Sequence, residues 1–372
     1  MGKTTLILIV SCAIIFFCGS LMVFNTTSAE VLSKSLKVDT HFALIKQLIF
    51  ALIAICIGFV IYFIGYQKII QISPYLLWGA IVFLVLVFVP KIGQTINGAR
   101  RWVGISKLSL QPSEFAKFII PMYFIYHIGK HRKSIELLTF LKIIAVSLIP
   151  ISLILLEPDT GTTVIILTTL VVTCFLTKVR FLYWAVPLFI MTLLGSFTAY
   201  NMSHVRNRIN VYLHPELDLK GRGHQPYQAK IAVGSGKVLG RGLGESLQKL
   251  DYLPEARSDY IAAIYAEEVG FLGMAILISL YMCMAYAGFS IAMKTKDKKG
   301  FHLACILTFL ISFQAFLNLG VVSGLLPSKG VTLPFFSQGG TSLMVNIIAI
   351  FLLLSIAKQT KVKKCMKKRS KF

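Results

Sequence analysis

The sequence predicts an all-α polytopic membrane protein of about ten transmembrane helices, and three observations carry that prediction. Of the 372 residues, 56% are hydrophobic and only 14% charged, with a mean hydropathy of +0.76. A water-soluble domain of this size needs far more polar surface. Apolar runs long enough to cross ~30 Å of hydrocarbon recur along the whole chain. Short basic segments separate alternate runs, the pattern that orients a membrane protein. Backbone groups in lipid must be satisfied within their own segment, so the runs should be helices.

The expected spans are Leu6–Phe24, Gln47–Tyr66, Tyr75–Pro90, Ser113–Gly129, Thr139–Leu156, Thr162–Thr177, Phe181–Tyr200, Tyr260–Met293, Phe301–Ser323 and Thr341–Ala357. The first is too long for a signal-peptide core. The eighth is long enough to need a tilt or an extension beyond the membrane.

Basic residues fix the expected orientation. Lys3, Lys68, Lys130, Arg132, Lys133, Lys178, Arg180, the cluster Lys294, Lys296, Lys298 and Lys299, and the tail 358–372 fall on one side. By the positive-inside rule that side is cytoplasmic, with both termini there. The chain reads as one membrane domain, 1–372, with a large external loop, 201–258, between helices seven and eight. The segments 25–46, 91–112, 157–161 and 324–340 also fall outside. The net charge of +23 then serves topology and contact with anionic membrane lipids rather than nucleic acid. Seven cysteines form no CxxC or Cys/His pattern, so neither a metal site nor a disulfide framework is indicated.

Gly234-Ser235-Gly236-Lys237 imitates a phosphate-binding loop. Ile231 stands where its first glycine belongs and Val238 where Ser or Thr belongs, so the motif fails. Four other constellations can carry chemistry, and all lie on the expected external side. In the first, Arg101 precedes Gln111-Pro112-Ser113-Glu114-Phe115-Ala116-Lys117. Glu114 and Lys117 share a helix face, either as an intrahelical pair or lining a hydrophilic cavity. Arg101 suits a phosphate. The second is Glu157-Pro158-Asp159-Thr160-Gly161, a tight turn or a pair of carboxylates for a divalent cation.

The third runs from Lys249 through Asp251 to Asp259, then to Glu267 and Glu268. Ser258 or Asp259 can cap the following helix. Capping leaves unexplained two glutamates about two turns into an apolar helix. A carboxylate at Asp259 can act as general base on a sugar hydroxyl. The fourth, Leu325–Ser342, includes Ser337, Gly339, Gly340 and Ser342. It is irregular backbone at membrane depth, tolerated only in a protein-lined or wet cavity. It ends at a helix start suited to a phosphate.

These blocks together resemble the signature regions of the SEDS (shape, elongation, division and sporulation) family, in the same order over nearly the whole chain. The most specific stretches are Asp251–Gly270 and Leu326–Ser342. Pro327–Gly330 and Lys249–Pro254 look more like the division members than the elongation members. Gln338 and Thr341 depart from the residues usual there, Tyr and Ser.

The resemblance implies a peptidoglycan glycosyltransferase of the bacterial inner membrane, acting at the division site. Its substrate would be lipid II, polymerised into glycan strands on the outer face. By motif match Asp259 is the essential aspartate. Arg101, Glu114, Lys117, Asp159, Lys249, Asp251, Glu267, Ser337, Gly339, Gly340 and Ser342 are the expected substrate-binding residues. Implied partners are a class B penicillin-binding protein and other division proteins. A divalent cation, Mg2+ or Mn2+, would help neutralise the pyrophosphate, although no ligand set stands out. A wet cavity with intramembrane charges also fits a lipid II flippase, and the external acids also fit a non-catalytic scaffold for the penicillin-binding protein.

Overall fold

The structure is a computed structural model that describes residues 2–33, 39–96, 99–105, 108–130, 135–189, 212, 223–250, 253 and 255–369. Ten numbered helices and one small sheet follow in order. They are α1 (Lys3–Ser33), α2 (Phe42–Ile64), α3 (Tyr66–Leu86), β1 (Gly93–Ile96), β2 (Ala99–Ile105), β3 (Leu108–Leu110), α4 (Pro112–Ile128), α5 (Leu137–Leu156), α6 (Thr160–Leu176), α7 (His224–Ser235), α8 (Ile261–Lys294), α9 (Lys298–Val322) and α10 (Gly340–Arg369). A further helical segment covers 181–189, the described part of the expected seventh span.

The protein is a polytopic helical membrane protein. Seven helices, α1, α2, α3, α5, α8, α9 and the Gly340–Thr360 part of α10, are each long and apolar enough to cross a membrane. The apolar α6 is shorter, at 17 residues. Also 17 residues long, α4 is buried along most of its length, which its buried charges require. Helix α2 packs along α10, α1 along α8, and α3 along α4. Most of the core gathers around α8, α9, α10 and the irregular stretch after α9.

Two features depart from the expected string of spans. Residues 91–112, read as a plain loop, contain a three-stranded antiparallel sheet in the order β1-β2-β3, with Gly93 opposite Val103 and Val103 opposite Leu110. The second departure is a break in α8. Gly270 has φ 71 and ψ −166, a conformation that costs other residues heavily. A Cβ there would lie 2.3 Å from the Gly240 nitrogen, so the position demands glycine twice over.

The break frees backbone groups at membrane depth, and the segment after α7 takes them up. Arg241 N–H donates to the Glu267 carbonyl and Gly242 N–H to that of Glu268, each at 3.0 Å. Phe271 N–H donates to the Lys237 carbonyl at 2.9 Å. The Gly234–Lys237 stretch thus serves packing: a Cβ on Gly236 would strike the Ala266 carbonyl oxygen.

The buried acids beside the break are answered by the same segment. Glu268 meets Lys249 Nζ at 2.8 Å and the Asn25 amide at 2.6 and 2.8 Å. Glu267 accepts from the Ser246 hydroxyl, from Leu247 and Gln248 N–H at 3.2 and 3.3 Å, and from Arg241 at 3.3 Å. Replacing Gly270 by alanine is expected to cost about 1–3 kcal/mol in backbone strain alone. It should lower the detergent melting temperature and open residues 236–249 to protease; a melting curve like the wild type's would refute this reading of the break.

Candidate active site

Four helices begin at one cavity. It encloses about 420 Å³ and is lined by residues at the starts of α4 (Gln111, Glu114), α6 (Thr162), α8 (Ser258, Asp259) and α10 (Gly339, Ser342). Ala99, Arg101 and Trp102 of β2, Glu255 and Arg257 before α8, and Gly330, Thr332 and Gln338 of the irregular segment complete the wall. Each helix start carries about half a positive charge and unpaired N–H groups. Their convergence makes the cavity suited to an anion, and explains why acids cluster at its rim.

Most of those acids are committed within the protein. Asp159 caps α6, accepting from Thr162 N–H at 3.1 Å and the Thr162 hydroxyl at 2.8 Å. It also accepts from Gln111 at 3.1 Å and Ser113 at 3.3 Å. Glu114 lines the cavity and accepts from Lys117 at 2.8 Å.

Asp259 is the exception. Among the described residues its carboxylate accepts no hydrogen bond and makes no ion pair, although it stands on the wall of a polar cavity. Burial first, then the charges of Glu255 and Asp159, push its pKa up to about 7, and Arg101 partly offsets them. It is held from behind. Asn318 donates to the Asp259 carbonyl at 2.8 Å and the Val331 carbonyl at 2.7 Å. A Cβ on Gly330 would come within 3.1 Å of Asp259 Oδ2, so this glycine leaves room for the carboxylate.

A second acid without a partner sits nearby. Glu157 is 1% exposed, and neither of its oxygens has a hydrogen bond among the described residues. Burial and Asp159 raise its pKa to about 8 against the pull of Arg101, so it keeps its proton at neutral pH. Arg101 donates to the Glu157 carbonyl at 2.9 Å and the Pro158 carbonyl at 2.6 Å. Those bonds fix the guanidinium across the α5–α6 turn.

The irregular segment 324–339 obtains its backbone bonds from side chains of α8 and α9. Gln314 donates to the Thr332 carbonyl at 2.9 Å and Tyr281 to the Pro334 carbonyl at 2.6 Å. Gln314 also accepts from Lys117 at 2.7 Å. The Thr341 hydroxyl oxygen accepts from Gln111 N–H at 3.1 Å, tying α10 to the end of the sheet. Gln338 lines the cavity, and its buried side-chain oxygen has no partner among the described residues.

Of the expected site residues, Asp259, Arg101, Glu114, Gly339 and Ser342 line this cavity. Lys117 does not: it is 1% exposed and held behind Glu114 by its two bonds. Asp159 is a cap. Lys249 and Glu267 clamp the break in α8. Ser337 accepts from Leu333 N–H at 2.8 Å and shapes a turn. Gly340 lies against the Phe50 ring, where a Cβ would come within 2.7 Å. Asp251 lies outside the described residues. Gln314 and Asn318 escaped the sequence reading, and Thr332, Glu255 and Arg257 lay in its motif stretches without a site role; polar Gln314 and Asn318, four apart in an apolar helix, were the available signal.

Among the described residues no group of three or more His, Cys, Asp or Glu could hold a metal, and both Asp159 oxygens are taken by donors from the chain itself.

The family profile described as cell cycle protein (FtsW, RodA, SpoVE) matches residues 5–362. The chain belongs to this family. A probable peptidoglycan glycosyltransferase FtsW of Trichlorobacter lovleyi is 36% identical over 91% of this chain and 89% of the relative. One from Legionella pneumophila is 33% identical over 90% of this chain and 86% of its own length. The family fold recurs in solved structures. Thermus thermophilus rod shape determining protein RodA superposes with a TM-score of 0.69 at 22% identity, covering 94% of this chain and 95% of that one. A chain from a peptidoglycan synthase complex, described as coordinating polymerization and crosslinking, gives 0.74 at 23%, covering 93% and 97%.

Replacing Lys117 by methionine strands Glu114 and Gln314, and is expected to cost about 3–5 kcal/mol of stability. Adding Glu114→Gln should restore most of it, because no buried charge then remains unpaired. A double variant as unstable as the single one in detergent denaturation would contradict this account of the pair.

Proposed function

We propose that the chain is a peptidoglycan glycosyltransferase that polymerises lipid II on the outer face of the bacterial inner membrane during cell division. One observation carries the reading: a carboxylate with no partner, Asp259, stands in a cavity where four helix starts and two arginines attract an anion. The names borne by its relatives support the same activity.

The reaction asks for two things that the cavity offers. As the acceptor 4-hydroxyl attacks the anomeric carbon of the donor, it must lose a proton. Asp259, with a pKa of about 7, is matched to take it at neutral pH. The bond from the anomeric carbon to the pyrophosphate oxygen then breaks, and undecaprenyl pyrophosphate leaves with the electron pair. Arg101, Arg257 and the start of α10 at Gly339 supply positive potential for that group. The Gln338 amide is a further polar contact for substrate.

Both termini cytoplasmic, ten spans and the segments 201–258 and 324–340 outside complete the proposed topology, with 1–372 as one membrane domain. Basic residues at the opposite ends of the helices support it. A class B penicillin-binding protein that cross-links the strands, and other division proteins, are the proposed partners.

Purified protein with its penicillin-binding protein and lipid II should yield glycan polymer, with an acid limb in kcat/KM near pH 7. Asp259→Ala should abolish polymer while the protein stays folded. Arg101→Gln removes the cation that lowers the Asp259 pKa, so its limb should move to higher pH. Undiminished polymer in Asp259→Ala would remove this residue from the chemistry. Lipid II crossing vesicles with no polymer under any partner condition would make the chain a flippase.

A further inference from the structure

At the other end of the bundle lies a second, larger cavity of about 680 Å³, which the proposed reaction does not use. It is lined by the start of α1 (Gly2, Lys3, Thr4, Thr5), the end of α8 (Ile291, Lys294), Lys296, and Ala357 and Thr360 of α10. Three of the nine lining residues are lysines and none is acidic.

Among the described residues, Lys3, Lys294 and Lys296 make no ion pair. The closest acid in sequence, Asp297, is engaged by the Tyr66 hydroxyl at 3.0 Å and by Gly300 N–H at 2.9 Å, as the cap of α9. The tail from Lys358 onward contains no acid. The α1 start adds its own positive end. Gly2 accepts from Leu6 N–H, and the N–H groups of the first turn before it have no partner within the helix. The negative end of α8 is muted, because the Thr295 hydroxyl donates to the Ile291 carbonyl at 2.8 Å and Thr295 N–H to that of Ala292.

The walls are of two kinds. Lysines and threonines form the polar part, while Ile291 and Ala357 form an apolar part. In the same helical turns, Leu6 (51% exposed) and Met293 (76%) present large apolar side chains outward. A ligand matching both parts has an anionic phosphate head and hydrocarbon tails beside it. Basic pockets between helices at the cytoplasmic boundary have this chemistry. We propose that the cavity between the start of α1 and the ends of α8 and α10 binds the headgroup phosphate of an anionic phospholipid. The inference is independent of the reaction assigned to Asp259.

The test uses the full chain purified in a neutral detergent and follows thermal unfolding against three additives. Dioctanoyl phosphatidylglycerol should raise the melting temperature saturably. Dioctanoyl phosphatidylcholine and inorganic phosphate at equal concentration should not. Lys3→Gln/Lys294→Gln/Lys296→Gln should weaken the phosphatidylglycerol effect roughly 100-fold, at about fivefold per lysine. Lys68→Gln/Lys142→Gln/Lys178→Gln, an equal charge loss elsewhere, should leave it intact. If the pocket triple does not fold, the three single variants decide the matter at about fivefold each. Equal stabilisation by phosphatidylcholine or inorganic phosphate, or equal weakening in the control triple, would overturn the proposal.

Discussion

A charge carried into the interior of a membrane bundle has to be answered there, and this constraint organises the protein. Glu268 is answered by Lys249 and Asn25, Glu267 by three residues of one loop and Arg241, and Glu114 by Lys117. Asp159 is answered by a helix start and two side chains. Against that background, the freedom of Asp259 is informative. With its neighbours paired, Asp259 stands without a partner on the cavity wall, where burial lifts its pKa. Four helix starts supply the compensating positive field without placing a donor on it.

Much of the fold serves to keep irregular backbone satisfied. The break in α8 and the segment 324–339 would each expose peptide groups to hydrocarbon if left alone. The first is covered by backbone of residues 237–242 and the second by Gln314, Asn318 and Tyr281. Through Asn318 the second arrangement reaches the Asp259 carbonyl directly, so the backbone repair also holds Asp259 in place. The sheet does the same for Arg101: β2 carries its guanidinium to the carbonyls of the α5–α6 turn.

The helices were legible because a membrane span is a local signal, a long apolar run that needs no partner to be recognised. Asp259 and Arg101 were legible because motif order carried them. Lys249 and Glu267 were expected among the substrate-binding residues, but in the structure both are buried charges that need partners. Those partners proved to be the chain itself, and one of them, Asn25, is 243 residues from Glu268. No local pattern announces such a pairing. The sheet was missed because its strands are three to seven residues long and interrupted by glycine, too short for a period to emerge. The break at Gly270 was missed because one glycine in an apolar helix is ordinary until a second backbone is seen lying against it.

The proposed reaction requires Asp259 to stand in a wet cavity on the external side. The most direct measurement is reaction of a single cysteine, Ser258→Cys on a chain whose native cysteines are replaced, with a membrane-impermeant maleimide. In intact right-side-out cells with the outer barrier opened, the account predicts labelling from outside without permeabilising the inner membrane. Labelling only after the cytoplasmic face is exposed would contradict it.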